Sequence, residues 1–510
     1  FLIGSQIFAD YGFYIDEKFH RANGFYWLNY LSNFFGFIDL SQISQLKLKE
    51  IEGFTLPNID NWNLYGVIFD VPAAYLEIIL NIKNPIDYYQ MRHFLVFIFF
   101  FFGAIFFYLI LKNRFNNKIV SIIGVTLFIL TPRIFGDSFW NNKDIIFLTF
   151  FTISLFFYFK LIDNPSIKNI ILLALFSAIG TTMRFAGIFL PITLIFLYII
   201  DKISRRDELH LKTILICYFS FFFFLFIFWP NVWSNLPAAI FSSLNLDMSW
   251  KGNVNFLGKY YFSGNLPYYY LFFWIIISTP LIHLILFIFG FYNYIKRLIL
   301  RYFTIKQNSI YNDLWRSSNE KKDFLIFINL TFFVIVLSFL NIHLYNSWRL
   351  GYFLYIFIIY FAAFGIFLLT IKFKKKLVQL TIIFGILIIF LIYRIALYHP
   401  YQSLYFNILI PPSIKNNVDV DYTGLSAFHF LKEIIDQEKN DKHIKIGVAS
   451  WYPLWRMVDL LNNEEKNKIT ILANDEKNQA KYLYSNRIYD IDKKYYKKYD
   501  IPSNFKKFKE

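Results

Sequence analysis

Phe94-Leu95-Val96-Phe97-Ile98-Phe99-Phe100-Phe101-Phe102-Gly103-Ala104-Ile105-Phe106-Phe107-Tyr108-Leu109-Ile110-Leu111 carries no charge between Arg92-His93 and Lys112. A hydrocarbon core of roughly 30 Å takes about 20 such residues as a helix, so the stretch reads as a membrane span. Further uncharged runs lie at 213–230, 266–295, 324–348, 350–371 and 377–393, with shorter ones at 119–132, 145–159, 169–183 and 185–200. Across 510 residues, 57% are hydrophobic and 17% charged, a balance that excludes an ordinary soluble domain. The chain therefore reads as a polytopic α-helical membrane protein. It opens Phe1-Leu2-Ile3-Gly4, and this first apolar stretch is too short to cross. Read as the remainder of a truncated first helix, it brings the expectation to about 11 transmembrane helices.

The net charge of +16 is explained by topology. Lys and Arg cluster in loops 112–118, 201–212, 294–323 and 371–376, while the alternate loops carry few cations. The positive-inside rule makes the first set cytoplasmic and the second extracytoplasmic. Nucleic acid is not needed as a partner; the lipid bilayer is. The single Cys217 lies within a span and excludes a disulfide framework or a cysteine metal site.

Segment 10–90 reads as a first outer loop with turns at Asn23-Gly24, Leu56-Pro57-Asn58 and Val71-Pro72, and with interfacial helices over 17–36 and 73–82. After 398 the spans stop and charges rise. The pattern there predicts a helix over 425–438, a strand over 444–450, a helix over 453–461 and a strand over 469–472. The expected division is a membrane unit, 1–398, and a small extracytoplasmic α/β domain, 399–510.

The outer loops hold the candidate chemistry. Asp16 and Glu17 follow the N-terminal stub; Arg133, Asp137, Lys143 and Asp144 lie in Thr131-Pro132-Arg133…Asn142-Lys143-Asp144; Arg184 and Arg349 sit at outer helix ends. Carboxylates and cations thus share one membrane face. A transferase that uses a sugar on a polyprenyl phosphate needs that inventory. Its leaving group is already a stable anion that cations can stabilise, and one carboxylate must take the proton of the attacking hydroxyl. Paired guanidinium donors suit a phosphate.

These landmarks, with Trp348-Arg349 and His399-Pro400-Tyr401-Gln402…Tyr405-Phe406-Asn407, resemble bacterial relatives of the dolichyl-phosphate-mannose protein mannosyltransferases, glycosyltransferase family 39 of the GT-C superfold. The resemblance runs over roughly 5–425. It implies a GT-C-like fold, a polyprenyl-phosphate sugar donor, a hydroxyl acceptor on protein, lipid or glycan, and a first-loop Asp as catalytic base, here Asp16. It also implies a bacterial inner (plasma) membrane enzyme with its site outside the cytoplasm. The C-terminal unit departs from the eukaryotic mannosyltransferases.

Each residue also has a plainer reading. Asp16-Glu17 can cap an interfacial helix. Arg184 and Arg349 can snorkel at helix ends. Asp137 and Asp144 are candidates for a divalent metal or the acceptor, but Asp144 can instead pair with Lys143 or cap the next helix. His20 stands alone as a metal ligand, so the sequence requires no cofactor. His283, inside a span, is expected to hydrogen-bond another helix. The rival functions are a lipid or solute transporter, for which midplane charges or inverted repeats would speak, and a noncatalytic membrane subunit.

Overall fold

A computed structural model describes residues 1–52, 66–204, 208–233, 252–303, 314–415, 417–439, 443–489 and 496–506. The turn expected at Leu56-Pro57-Asn58, part of the basic loop 201–212, and residues 234–251 of the outer loop 230–266 lie outside these. Among the described residues, eight helices are long and apolar enough to cross a membrane: Pro85–Phe115, Asp144–Asp163, Phe185–Ile203, Leu211–Phe228, Leu281–Phe303, Ser318–Phe339, Leu354–Lys372 and Lys374–Leu397. Lys118–Ile129 and Ile167–Met183 are shorter and equally apolar.

Local chemistry sets several boundaries. Pro85 occupies the first turn of Pro85–Phe115, where no amide is needed, and the side chain of Asn84 accepts from the Ile86 amide. The helix stops at Asn116, which adopts a left-handed φ of 46°. Asn117 and Ser166 cap the next helices through their side-chain oxygens. The uncharged run 266–295 is not one helix. It divides into Tyr270–Ser278 and Leu281–Phe303 around Pro280, which lacks an amide and drives the preceding residue to extended backbone. Likewise the run 324–348 leaves the helix after Phe339, and the chain turns through Asn341 and Asn346 at positive φ.

Helix Leu354–Lys372 is buried over most of its length and forms the centre of the bundle. Leu281–Phe303 packs tightly on it: a Cβ built at Gly290 would stand 1.9 Å from the Phe361 carbonyl oxygen, so only glycine permits this backbone approach. Lys374–Leu397 lies at the periphery, with Val378, Ile386 and Ile389 facing outward. His283 is buried and, as expected, bonds another helix, its Nδ1 lying 2.7 Å from the Tyr355 hydroxyl.

Two polar layers close the ends of this apolar bundle. At the end formed by the basic loops, Asp323 receives Nε and Nη2 of Arg114 at 2.6 and 2.7 Å, Arg297 at 2.9 Å and the Tyr360 hydroxyl at 2.6 Å. Lys322 pairs with Asp163 at 2.6 Å, and Arg301 with Glu320. Helix termini distant in sequence meet there in pairs that satisfy each buried charge. The opposite layer, made by the cation-poor loops, contains the residues of chemical interest.

Outside the bundle, the first loop forms helices Glu17–Phe35, Ile38–Glu52 and Asp70–Ile79. A hairpin of β1 (Asn253–Phe256) and β2 (Lys259–Phe262) joins the chain after the last span through Asn255, whose amide donates to Asp419 at 3.0 Å. The C-terminal residues form helix Ser426–Gln437 and the parallel strands β3 (Ile444–Val448), β4 (Ile469–Ile471) and β5 (Tyr482–Tyr484), in the order β4-β3-β5. The expected helix over 453–461 shrinks to Trp455–Val458, and β5 is an element that the sequence pattern did not reveal. The apolar cluster of this unit takes in Phe13 and Tyr89 from the membrane portion.

Candidate active site

Asp144 is the first residue of helix Asp144–Asp163, and its carboxylate is buried. Arg184, which ends Ile167–Met183, donates from Nε and Nη2 to its Oδ1 at 3.0 and 2.5 Å. The Asn141 amide donates to Oδ2 at 3.1 Å, and Nε of Arg349 lies 3.5 Å from the same oxygen. Two distant helix ends and the preceding turn therefore converge on one carboxylate. The alternative in which Asp144 caps its own helix is corrected here: the Asn141 side-chain oxygen takes the Lys143 and Asp144 amides.

Arg349 is buried just ahead of Leu354–Lys372, its guanidinium 5.5 Å from the Tyr345 ring. It makes no hydrogen bond among the described residues. Burial works against its charge, but Asp144, then Tyr345 and Asp16, hold its pKa above the ordinary arginine value. Lys143 is half-buried beside this group. Burial first, and then the charge of Arg184, push its pKa well down despite Asp144, Asp16 and Asp70.

Asp16 immediately precedes helix Glu17–Phe35 and is half-buried. Its side chain does not cap that helix and makes no hydrogen bond or ion pair among the described residues. Its charge nevertheless acts on Arg349, Lys143 and Tyr14. Glu17 is placed differently: Oε1 meets Nε2 of His93 at 2.8 Å and the Tyr14 amide at 3.2 Å, which ties the loop to helix Pro85–Phe115. Adjacent acids thus differ in kind, one tethered and one open.

Asp70 joins the cluster, unheralded by any motif. It is buried at the start of Asp70–Ile79, where Oδ2 receives Asn23 at 2.7 Å and lies 3.3 Å from His20 Nδ1, while Oδ1 receives Asn142 at 3.3 Å. Burial pushes its pKa up, but His20, Arg92 and Asn23 outweigh it and hold the carboxyl low. The available signal was the sequence Asp70-Val71-Pro72: an acid and a proline in a first turn mark a helix start as well as a turn. His20 serves Asp70, and among the described residues no group of three metal-ligating side chains forms.

The remaining candidates lie deeper. Asp137 accepts from Asn141 at 3.1 Å, so the amide nitrogen of Asn141 occupies the space between Asp137 and Asp144. Arg133 does not reach the mouth: it is buried 5.1 Å from the Trp274 ring and 4.9 Å from Phe406, and its Nε donates to the Tyr405 carbonyl at 2.9 Å. There it ties down the chain after the last span, and burial lowers its pKa.

The fold and this charged mouth define a helical membrane protein with chemistry at one end of its bundle. Residues 87–233 match the model of the dolichyl-phosphate-mannose-protein mannosyltransferase family. Over that stretch, which contains Arg133, Asp137, Lys143, Asp144 and Arg184, the chain is similar to this family. A solved structure, ArnT from Cupriavidus metallidurans in the apo state, is similar with a TM-score of 0.41 and 9% identity, covering 80% of this chain and 75% of that one. No curated protein matches.

Asp137 supplies a test of this electrostatic layer. Burial pushes its carboxyl up to about 6, and among the described residues Oδ1 has no hydrogen-bond partner. Between the ordinary 3.8 and about 6, the folded protein keeps a proton that the unfolded chain has released, so this group weakens the fold as pH rises. The effect is at most roughly 3 kcal/mol. Asp137→Asn should therefore be more stable than wild type at pH 7 in thermal unfolding of detergent-solubilised protein. The difference should close as pH falls from about 6 towards 4; a difference independent of pH would remove Asp137 as its source.

Proposed function

We propose that this protein transfers a sugar from a polyprenyl-phosphate donor to a hydroxyl acceptor, with Asp16 as general base and Arg349 as the principal phosphate contact. The observation that carries the reading is the meeting at one mouth of an open carboxylate, Asp16, and a guanidinium, Arg349, that among the described residues forms an ion pair only with Asp144. The Asp16 carboxylate and the Arg349 guanidinium each make no hydrogen bond among the described residues, yet each lies in the field of the other.

In this reading, the acceptor oxygen forms a bond to the anomeric carbon as the bond to the lipid phosphate oxygen breaks. The hydroxyl proton passes to Asp16, and the leaving phosphate keeps its electron pair beside Arg349, Arg184 and Lys143. One displacement inverts the anomeric centre. Arg184 also holds Asp144, which fixes the direction of the cationic group, and Glu17 orients the loop through His93. The match to mannosyltransferases over 87–233 supports a lipid-linked donor. The basic and cation-poor loops support an extracytoplasmic site in a bacterial plasma membrane, with residues 399–510 as an outer domain.

Asp16→Asn preserves shape and removes the basic oxygen. Turnover should fall about 10² to 10⁴-fold while donor binding persists; near-normal turnover on a verified donor and acceptor would defeat the assignment. Arg349→Lys keeps the charge and loses the planar fork, so donor affinity should weaken, and an unchanged affinity would return Arg349 to packing. Sidedness is checked with single cysteines in a Cys217→Ser background. His210→Cys and Asp475→Cys lie at exposed positions and should label from opposite sides of the membrane. Labelling of both from the cytoplasm would overturn the outer placement of the C-terminal unit.

A further inference from the structure

The loop that delivers Asp16 is held from two directions. On the membrane side, the Tyr11 hydroxyl donates to Gln402 at 3.0 Å, the Tyr14 hydroxyl to Asn142 at 2.7 Å, and Glu17 meets His93. From the other side comes the C-terminal unit. Phe13 is buried in its apolar cluster, 5.0 Å from the Phe428 ring. The Ile15 amide donates to the Thr423 carbonyl at 3.1 Å, and the Ile15 carbonyl accepts from Nη1 of Arg456 at 3.4 Å. Both backbone polar groups of the residue before Asp16 are therefore spent on residues more than 400 positions away in sequence.

The receiving turn is itself rigid. Asp421 is buried, and its carboxylate accepts from the Leu425 amide at 2.9 Å, the Ser426 amide at 3.1 Å and the Ser426 hydroxyl at 2.6 Å. Its carbonyl accepts from Asn486, just beyond β5, at 2.9 Å. The turn is thus fastened to the parallel sheet. Against it the loop approaches at Gly12, where a Cβ would stand 1.9 Å from the Leu425 carbonyl oxygen. No side chain larger than hydrogen fits without parting the loop from the turn.

Among the described residues the Asp16 carboxylate makes no hydrogen bond, so its position is set by the backbone on either side, Ile15 held by the C-terminal unit and Glu17 by His93. We propose that Arg456 and the 421–426 turn are positioning elements for Asp16, so that the C-terminal unit completes the active site instead of accompanying it. This proposal rests on the reading of Asp16 as the base. The placement matters because a displacement of about 1 Å at a reacting group can cost about 10²-fold in rate.

The experiment uses the full-length protein. Arg456→Met keeps the apolar stem and removes the donor, Arg456→Lys restores a donor, and Gly12→Ala separates loop from turn. Arg456→Met and Gly12→Ala should lower kcat by about 10²-fold with donor affinity unchanged, and Arg456→Lys should recover much of the loss. In an Asp16→Asn background, Arg456→Met should cause little further loss, because a base that is already absent cannot be misplaced. Normal kcat in both Arg456→Met and Gly12→Ala overturns the proposal. An equal proportional loss in the wild-type and Asp16→Asn backgrounds also overturns it, assigning Arg456 to general stability while leaving Asp16 as base. Near-normal turnover in Asp16→Asn alone instead defeats the base assignment, and the positioning proposal with it.

Discussion

Asp144 is the constraint on which the mouth of the bundle depends. A carboxylate buried at a helix start must be matched by cations and donors, because an unpaired charge there costs several kcal/mol. Arg184 and Asn141 supply hydrogen bonds, and Arg349 supplies charge at 3.5 Å. These partners come from the end of one helix, a preceding turn and the approach to the central helix. Satisfying one carboxylate therefore fixes how three segments meet. It also concentrates positive charge where a phosphate would be received.

A second carboxylate organises the opposite end by the same logic. Asp323 joins Arg114, Arg297 and Tyr360 where the basic loops gather. There the Asp323 carboxylate spends both oxygens on partners within the protein. At the mouth, by contrast, Asp16 and Arg349 retain bonding capacity. The two ends differ less in composition than in satisfaction, and the proposed site lies at the end where side chains remain open.

The first loop links this site to the rest of the chain. Tyr11, Phe13, Tyr14 and Ile15 alternate their attachments between the membrane unit and the C-terminal unit. The segment that bears Asp16 is consequently a seam between the two. The mannosyltransferase match ends at residue 233 and begins at 87, so it includes the Asp144 cluster but neither Asp16 nor Arg349. The groups that would meet across the reacting centre come from outside the matched stretch, brought in by the first loop and by the approach to the central helix.

By itself, the sequence determined the membrane class, the approximate place of most spans and the sharing of one face by the acidic loop and the arginines. These follow from local quantities: run length against bilayer thickness, and the alternation of cations between loops. It also located the helix and the first two strands of the C-terminal unit by their periodicity. It did not separate Asp16 from Glu17, since adjacent acids look alike until His93 claims one. Nor did it reveal Asp70, the retreat of Arg133 between Trp274 and Phe406, or the grip of Thr423 and Arg456 on Ile15. Tertiary structure decided these because each depends on which partner arrives from a distant segment, and burial makes the presence or loss of that partner worth more than any local preference.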